Sequence, residues 1–296
     1  MRKSTGGVRA WYVLLPVILV VAVAAGVFFT GKTGPTGENE WVTFIKANTG
    51  DAQAQYLSGL PYDKRRGGID DADRASGWYE KAAAQGHMDA QIALADLYND
   101  DKGVANRDKA FALYKAVKAP SPDIKRKLAE FYLTGRGSVP KDVEIGERLL
   151  REAAQAGDKA AEKAWGQRLN SAGDREGAKL WLIKCADRGD TQCLTDMAYL
   201  FYNTGDQPKA ISYFNRAADR GNADAQIRLS MLYFNGMAVK KDLAVAYKWA
   251  LLARKGPKGS AAVSEAREAV PFIESRLTPD QKVEGQKQAD AFKPAS

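Results

Sequence analysis

Large and small apolar residues return along this chain at an interval too long for one helix or one strand. Counted from Gly50, Gly86, Pro120, Gly157, Gly189 and Gly221, and closed by Gly256, the chain divides into six segments of 32 to 37 residues. Twelve positions after each start stands a large apolar residue: Tyr62, Tyr98, Tyr132, Leu169, Phe201 and Tyr233. Nine positions after it stands a small one: Gly59, Ala95, Ala129, Gly166, Ala198 and Ser230. The junctions repeat as well, with Ala82, Ala116, Ala153, Cys185 and Ala217 four positions before a start and Ala90, Ile124, Ala161, Cys193 and Ala225 four positions after. A period of thirty-odd residues is the signature of a repeat architecture.

Each segment reads as two helices. In the second, Ala90, Leu94, Leu97 and Tyr98 make one stripe at helical spacing, and Ala110, Leu113, Tyr114 and Val117 make another. Glycine at most junctions suits the left-handed turn that ends a helix, and Asp or Asn soon after suits the start of the next. No strand pattern is found. One helix pair cannot bury its stripe alone, so neighbouring pairs must stack. The predicted fold class is all-α, a right-handed α-solenoid of about six helix-turn-helix repeats. The fourth and fifth segments have short connections, Ser171 to Glu176 and Asn203 to Pro208, and the third opens on Pro120-Ser121-Pro122, where a change of curvature is expected.

Trp78-Tyr79-Glu80-Lys81-Ala82-Ala83 with Gly86 and Ala90-Gln91, Tyr132-Leu133-Thr134-Gly135-Arg136-Gly137 with Val139 and Asp142, and Tyr233-Phe234-Asn235-Gly236 resemble the Sel-1-like repeat family, a relative of the tetratricopeptide repeats. The resemblance covers roughly residues 45 to 256, within a repeat domain set at 41–256, and 257–296 reads as capping helices. In the last of these Thr278 is the N-cap, Pro279 the first helical residue and Gln281 the partner in a capping box. The resemblance implies an inner face lined by first-helix positions and used for protein or peptide partners. Those positions include Tyr56, Ile92, Asp96, Asn99, Arg126, Glu130, Lys163, Gln167, Asn170, Tyr199, Tyr202, Asn203, Met231, Phe234 and Asn235. Their mixture of aromatic, amide and charged groups suits a peptide. The competing reading is that the aromatics are core and the Asn residues helix terminators.

Residues 1–10 are polar and basic, and Trp11 to Thr30 is an uncharged run long enough to span a bilayer as a helix. Arg2, Lys3 and Arg9 precede it, so the first ten residues are expected in the cytoplasm, 11–30 as a signal anchor in the inner membrane, 31–40 as a tether, and the remainder in the periplasm. A cleaved signal peptide, on Ala22-Val23-Ala24, is the rival. The apolar run continues through Val27, Phe28 and Phe29, which favours retention. Arg2, Lys3, Arg9 and Lys32, with no acidic residue among the first 32, carry half of the formal charge of +8. The basic runs Lys64-Arg65-Arg66, Lys125-Arg126-Lys127 and Lys240-Lys241 are short and interleaved with acids, which speaks against a nucleic-acid footprint.

Cys185 and Cys193 fill the junction slots that are Ala and Ala at three other junctions, and facing small slots bring Cβ atoms near disulfide distance. A structural bridge, a redox pair, half of a metal site and two buried thiols are the open readings. Cysteine-rich bacterial members of the resembled family have bridged cysteines with this spacing. Ser138-Val139-Pro140-Lys141 and Lys32-Thr33-Gly34 imitate motifs of penicillin-recognising enzymes, but Pro140 and flanking glycines put the serine in a loop and no S-D-N companion follows. With one His, His87, neither a serine-protease triad nor a histidine zinc cluster can be assembled. Asp51, Asp70-Asp71 and Asp100-Asp101 lack calcium-loop spacing and read as helix caps. The expectation is therefore a non-enzymatic scaffold with no cofactor and no metal; recognition of cell-wall glycan is the alternative, and a hydrolase the least favoured.

Overall fold

The computed structural model describes residues 40–100 and 106–295; the expected membrane span at 11–30, Lys32-Thr33-Gly34 and all of the tether at 31–40 except its last residue, Glu40, lie outside them. Among the described residues there are fifteen α-helices and no strand, and no helix is long and apolar enough to cross a membrane. A lone helix, α1 (Glu40–Asn48), comes first. The six repeats follow as pairs: α2 (Ala52–Gly59) with α3 (Ala72–Ala84), α4 (Met88–Asn99) with α5 (Arg107–Ala116), and α6 (Pro122–Thr134) with α7 (Val143–Gln155). Then come α8 (Lys159–Ser171) with α9 (Arg175–Asp187), α10 (Thr191–Asn203) with α11 (Gln207–Asp219), and α12 (Ala223–Asn235) with α13 (Leu243–Arg254). Two further helices, α14 (Ala261–Glu274) and α15 (Pro279–Asp290), close the chain.

The described chain forms two compact units, residues up to 120 together with 130–143, and residues 121–129 together with those from 144 onward. The boundary falls at the Pro120-Ser121-Pro122 junction, where no left-handed glycine is present. In the first unit, helices α1 to α5 pack each on the next; in the second, α8 to α14 do so, α8 also touches α10, α12 touches α14, and α15 packs on α13. The first helix of the fourth repeat thus contacts that of the fifth, and the first helix of the sixth contacts α14, as stacked pairs of a solenoid do.

Two backbone devices set the register. Gly50, Gly86, Gly157, Gly189 and Gly221 have φ between 82° and 102°, where a side chain is disfavoured. Behind each, the next residue donates its N–H to a carbonyl five positions back, as from Asp190 to Cys185 (3.1 Å) and from Asn222 to Ala217 (3.1 Å). This six-to-one bond closes the helix. Gly256 is the exception, outside the left-handed region. The second device joins the two helices of a pair: the N–H just before each second helix donates to the carbonyl of the large-slot residue. It recurs in all six repeats, for example Asp71 to Tyr62 (3.1 Å), Asn106 to Tyr98 (2.8 Å), Asp174 to Leu169 (2.9 Å) and Asp242 to Tyr233 (3.0 Å).

The small slots are where the paired helices meet. Ala95, Ala129, Ala198 and Ser230 are buried, and a Cβ added to Gly166 would lie 2.8 Å from Leu182 Cγ. Ser230 donates its hydroxyl to Ala246 O at 2.8 Å, so the one polar occupant is satisfied. At the junctions Ala82 and Ala90, Ala153 and Ala161, and Ala217 and Ala225 are fully buried. In the same slots Cys185 and Cys193 form a disulfide, Cα atoms 5.9 Å apart, which joins α9 to α10. α15 begins as expected, with Thr278 and Gln281 in a reciprocal capping box and Pro279 in the first turn.

Candidate interaction surface

The expected inner-face residues belong to first helices, and the structure separates them by what each touches. One rule governs several of the charged and aromatic ones. The residue six positions after a repeat start reaches the N-cap residue of the next repeat's first helix. Tyr56 stacks on His87 with ring centroids 5.1 Å apart. Arg126 lies 3.3 Å from Asp158, and Lys163 holds Asp190 at 3.1 Å. Both carboxylates also accept a backbone N–H as caps, Asp158 from Ala161 and Asp190 from Cys193. Burial would raise the Asp190 carboxyl, but the Cys193 N–H and the Lys163 ammonium outweigh it and hold it below the ordinary range.

Four positions further on, Gln167 donates to Asp196 at 2.7 Å, and the Tyr199 hydroxyl sits between Asp224 (3.2 Å) and Arg228 (2.6 Å). Burial and the nearby Asp224 push the Tyr199 hydroxyl up to about 12, so it stays protonated. Asp96 lies 3.3 Å from Arg66 and accepts from the Tyr114 hydroxyl at 2.6 Å. Glu130 pairs with Arg136, and Ile92 is half-buried. The structure thus engages Tyr56, Arg126, Lys163, Gln167 and Tyr199 in links between successive repeats.

Elsewhere the chain is less self-satisfied. Tyr202, Asn203 and Asn235 are exposed at the ends of α10 and α12, with Asn170 half-buried at the end of α8. Met231 and Phe234 are half-buried on α12, and Phe234 lies 5.4 Å from Phe272 of α14, which is half exposed and carries Arg276 over its ring at 3.6 Å. α10, α12 and α14 of the second unit therefore present aromatic and amide groups that remain accessible. Phe272 has no counterpart in the repeat pattern, and only its place in a capping helix, beyond the periodic segments, marked it. Asn99, also a helix-terminal residue, closes α4.

The competing chemistries meet specific obstacles. Ser138 is held by Asp108, which accepts its N–H at 2.7 Å and its hydroxyl at 2.9 Å, in the loop between α6 and α7. Asp51 and Asp71 cap α2 and α3, and among the described residues no group of three His, Cys, Asp or Glu side chains has metal-site geometry. Two of the three basic runs are internally paired: Arg65 and Arg66 on the buried Asp63, and Lys125 on Glu152. Burial alone would raise Asp63, but the two arginines outweigh it and hold it below the ordinary carboxylate range. On second helices, lysine ammonium groups cover Trp78 (4.5 Å), Trp181 (4.2 Å) and Trp249 (4.0 Å).

A second ladder was not visible in the pattern of apolar slots. Gln55, Gln91 and Gln226, five positions after their starts, donate side-chain N–H groups to Ala47 O, Ala83 O and Ala218 O, at 3.1, 3.5 and 3.0 Å. The first of these reaches α1, which closes on Gly50 as the other second helices close on theirs and so supplies the partner that the first repeat needs. The sequence signal for both was the Gln itself.

A family model for the Sel1 repeat matches residues 52–87, 89–116, 125–158, 192–222 and 223–256, more than half of the chain. The fourth repeat lies between the matched stretches. Among curated proteins, the chain is 27% identical over 125 residues to chitin synthase regulatory factor 4 of Schizosaccharomyces pombe, covering 41% of this chain and 20% of that protein. It is 31% identical over 83 residues to the alginate biosynthesis protein AlgK of Pseudomonas aeruginosa, covering 28% and 18%. The matches thus span about a fifth of the length of these relatives. Among solved structures, c5321, a protective antigen present in uropathogenic Escherichia coli strains and displaying an SLR fold, superposes with a TM-score of 0.71 at 23% identity, over 86% of this chain and 55% of that one. A Sel1 repeat protein from Oxalobacter formigenes gives 0.56 at 26% identity, over 73% and 99%.

Proposed function

The chain belongs to the Sel1 repeat family, and on that premise we propose that it is a membrane-anchored scaffold of a bacterial cell envelope, which holds a segment of another envelope protein on its first-helix face. Sel1 repeat proteins are generally non-catalytic scaffolds for protein interaction. The observation that carries the reading is the division of the first-helix face. Charged positions in the middle repeats are closed on one another, whereas in the second unit Tyr202, Asn203 and Asn235 are exposed and Phe234 and Phe272 partly so. Aromatic anchors beside amide groups are what a peptide needs for burial and for backbone hydrogen bonds.

The envelope location rests on three supports. Trp11 to Thr30 has the length and flanking charges of a signal anchor. The Cys185–Cys193 disulfide is the kind of bond kept in oxidising compartments. Two relatives carry names that place them in polysaccharide production or its control. The chain's own role would be assembly or regulation of such a system, or of a secretion or motility system.

The test is site-specific photo-cross-linking in the native membrane. A photoreactive amino acid is placed in the full chain at Tyr202 or Asn235, and at Leu180, which is 69% exposed on α9, as the control. A discrete cross-linked partner from the first two positions but not from Leu180 supports the reading. No partner, or the same partner from all three, overturns it.

A further inference from the structure

Among the described residues, at least twelve helices begin on a residue whose side chain accepts a first-turn N–H, and at all but one of them the accepting atom is an oxygen. Asp51, Asp71, Asn106, Asp158, Asp174, Asp190, Asp206, Asn222, Asp242, Ser260 and Thr278 each accept a backbone N–H of the first turn through a side-chain oxygen. At α4 the cap is His87, the only histidine in the chain, and its Nδ1 accepts the Ala90 N–H at 3.3 Å. An imidazole accepts only through an unprotonated nitrogen, so this bond fixes the ring's proton on Nε2. Nε2 in turn lies 2.8 Å from Gln53 Oε1 on α2, to which it donates. The ring also stacks on Tyr56 of α2. His87 backbone groups complete the junction, the N–H on Ala82 O of α3 and the C=O on the Gln91 N–H of α4.

We propose that His87 is a proton-operated latch between the first and second repeats: neutral, it caps α4 and ties it to α2; protonated, it loses the cap and loosens the start of α4. The second proton has one place to go, Nδ1. It would turn the acceptor into a donor aimed at the Ala90 N–H, and would set a positive charge on the positive end of the helix dipole. Oxygen caps of Asn, Ser and Thr do not titrate, and a carboxylate cap keeps its accepting oxygens where an imidazole nitrogen that gains a proton ceases to accept, so His87 differs in kind from the oxygen caps.

The groups around the ring act in both directions. From α2 it meets Tyr56 and Gln53; the Asp51 carboxylate there is committed to the Ala54 N–H at 2.6 Å. On α3, Glu80 is bonded to Tyr98 and Lys81 lies over Trp78. On α4, Asp89 is exposed in the first turn. Tyr56 and Asp89 favour a cation, whereas the lost cap and the helix dipole oppose it. The geometry decides between them, because the lost hydrogen bond is at contact distance and Asp89 is solvated.

The experiment uses the full chain. The single histidine gives one pair of imidazole resonances, so its titration is read directly by NMR, and amide exchange at Ala90 is followed over the same pH range after correction for intrinsic exchange. Protection at Ala90 should fall roughly fivefold as the ring protonates, which is the weight of one N-cap. His87→Asn supplies an oxygen cap like that of Asn222 and should hold protection constant. A wild-type Ala90 that keeps its protection through the ring's titration overturns the proposal, whatever the variant does. So does an equal fall in His87→Asn.

Discussion

Removing the Cys185–Cys193 bridge should cost the second unit about 2.5 kcal/mol, the chain-entropy value for a cross-link closing a loop of this length. The bridge spans a sequence separation of eight. The double variant Cys185→Ala/Cys193→Ala isolates that term unusually well. Its slots are filled by Ala at the equivalent junctions, Ala82 with Ala90, Ala153 with Ala161 and Ala217 with Ala225, all fully buried. The replacement therefore leaves two small voids rather than a mispacked side chain, and its packing cost should stay below about 1 kcal/mol. Urea denaturation of the full chain, followed by fluorescence and by amide exchange, measures the loss. Adding a reductant supplies the cycle: it should lower wild-type stability by about the same amount and leave the double variant unchanged. Because repeats are coupled to their neighbours, the loss should appear in α9 to α13 and not in α2 to α5. A loss below about 1 kcal/mol would refute the entropic account, since the unfolded chain would then already hold this turn closed. A reductant effect on the double variant would show that the reagent acts elsewhere.

Three further outcomes follow from single positions. Gly166→Ala should destabilise by about 1 kcal/mol, because a clash with Leu182 outweighs the helix propensity of Ala, whereas Gly77→Ala, in the middle of α3 with open space around it, should stabilise by about 1 kcal/mol in the same urea assay. Ala238 sits at φ 59° in the loop position where the third repeat has Gly137 at φ 67°. Ala238→Gly should raise stability by about 0.5–1 kcal/mol, the relief of left-handed strain less the added freedom of the unfolded chain. Asp63, nearly fully buried, has its carboxyl held below the ordinary range because Arg65 and Arg66 outweigh burial. Its contribution is thus complete above the ordinary Asp range and lost as pH falls through the lowered value, so Asp63→Asn should flatten the acid limb of a stability-versus-pH curve.

The fold was legible because its register is written in residue types that few other positions tolerate. Left-handed glycines, small slots at the helix crossing and the Thr278-Pro279-Gln281 signal each have one structural meaning, and each was found where the period put it. Cys185 and Cys193 followed from the same register. The candidate surface was less legible. Periodicity places Arg126 and Lys163 on the first-helix face, but it says nothing of the next repeat's N-cap, Asp158 or Asp190, which lies some thirty residues away in sequence and within ion-pair reach in space. The side of a helix that faces a partner and the side that faces the following repeat differ by one residue's rotation. His87 was passed over for the same reason: with a single histidine the search was for catalysis, whereas its use is to accept one backbone N–H. α1 lies almost wholly within the expected repeat domain but before the first counted repeat, and Gly50 already required a helix before it.

The links at positions six and one also bear on why six similar repeats assemble in one order. If every junction used the same pair, a repeat could dock on any other at equal energy, and slipped or exchanged arrangements would compete with the native one. Here the pairs differ in kind: Tyr56 with His87, Arg126 with Asp158, Lys163 with Asp190. Setting Lys163 against a His87 cap would bring a cation to a helix N-terminus with no carboxylate to receive it. Setting Tyr56 against Asp190 would leave that carboxylate without its ammonium. Either mismatch forfeits a charge-assisted contact, and partly buried charges make such losses larger than their surface equivalents. The small slots, alike in each repeat, supply the stacking; at the three junctions where these two positions meet, the side chains differ and bias the order.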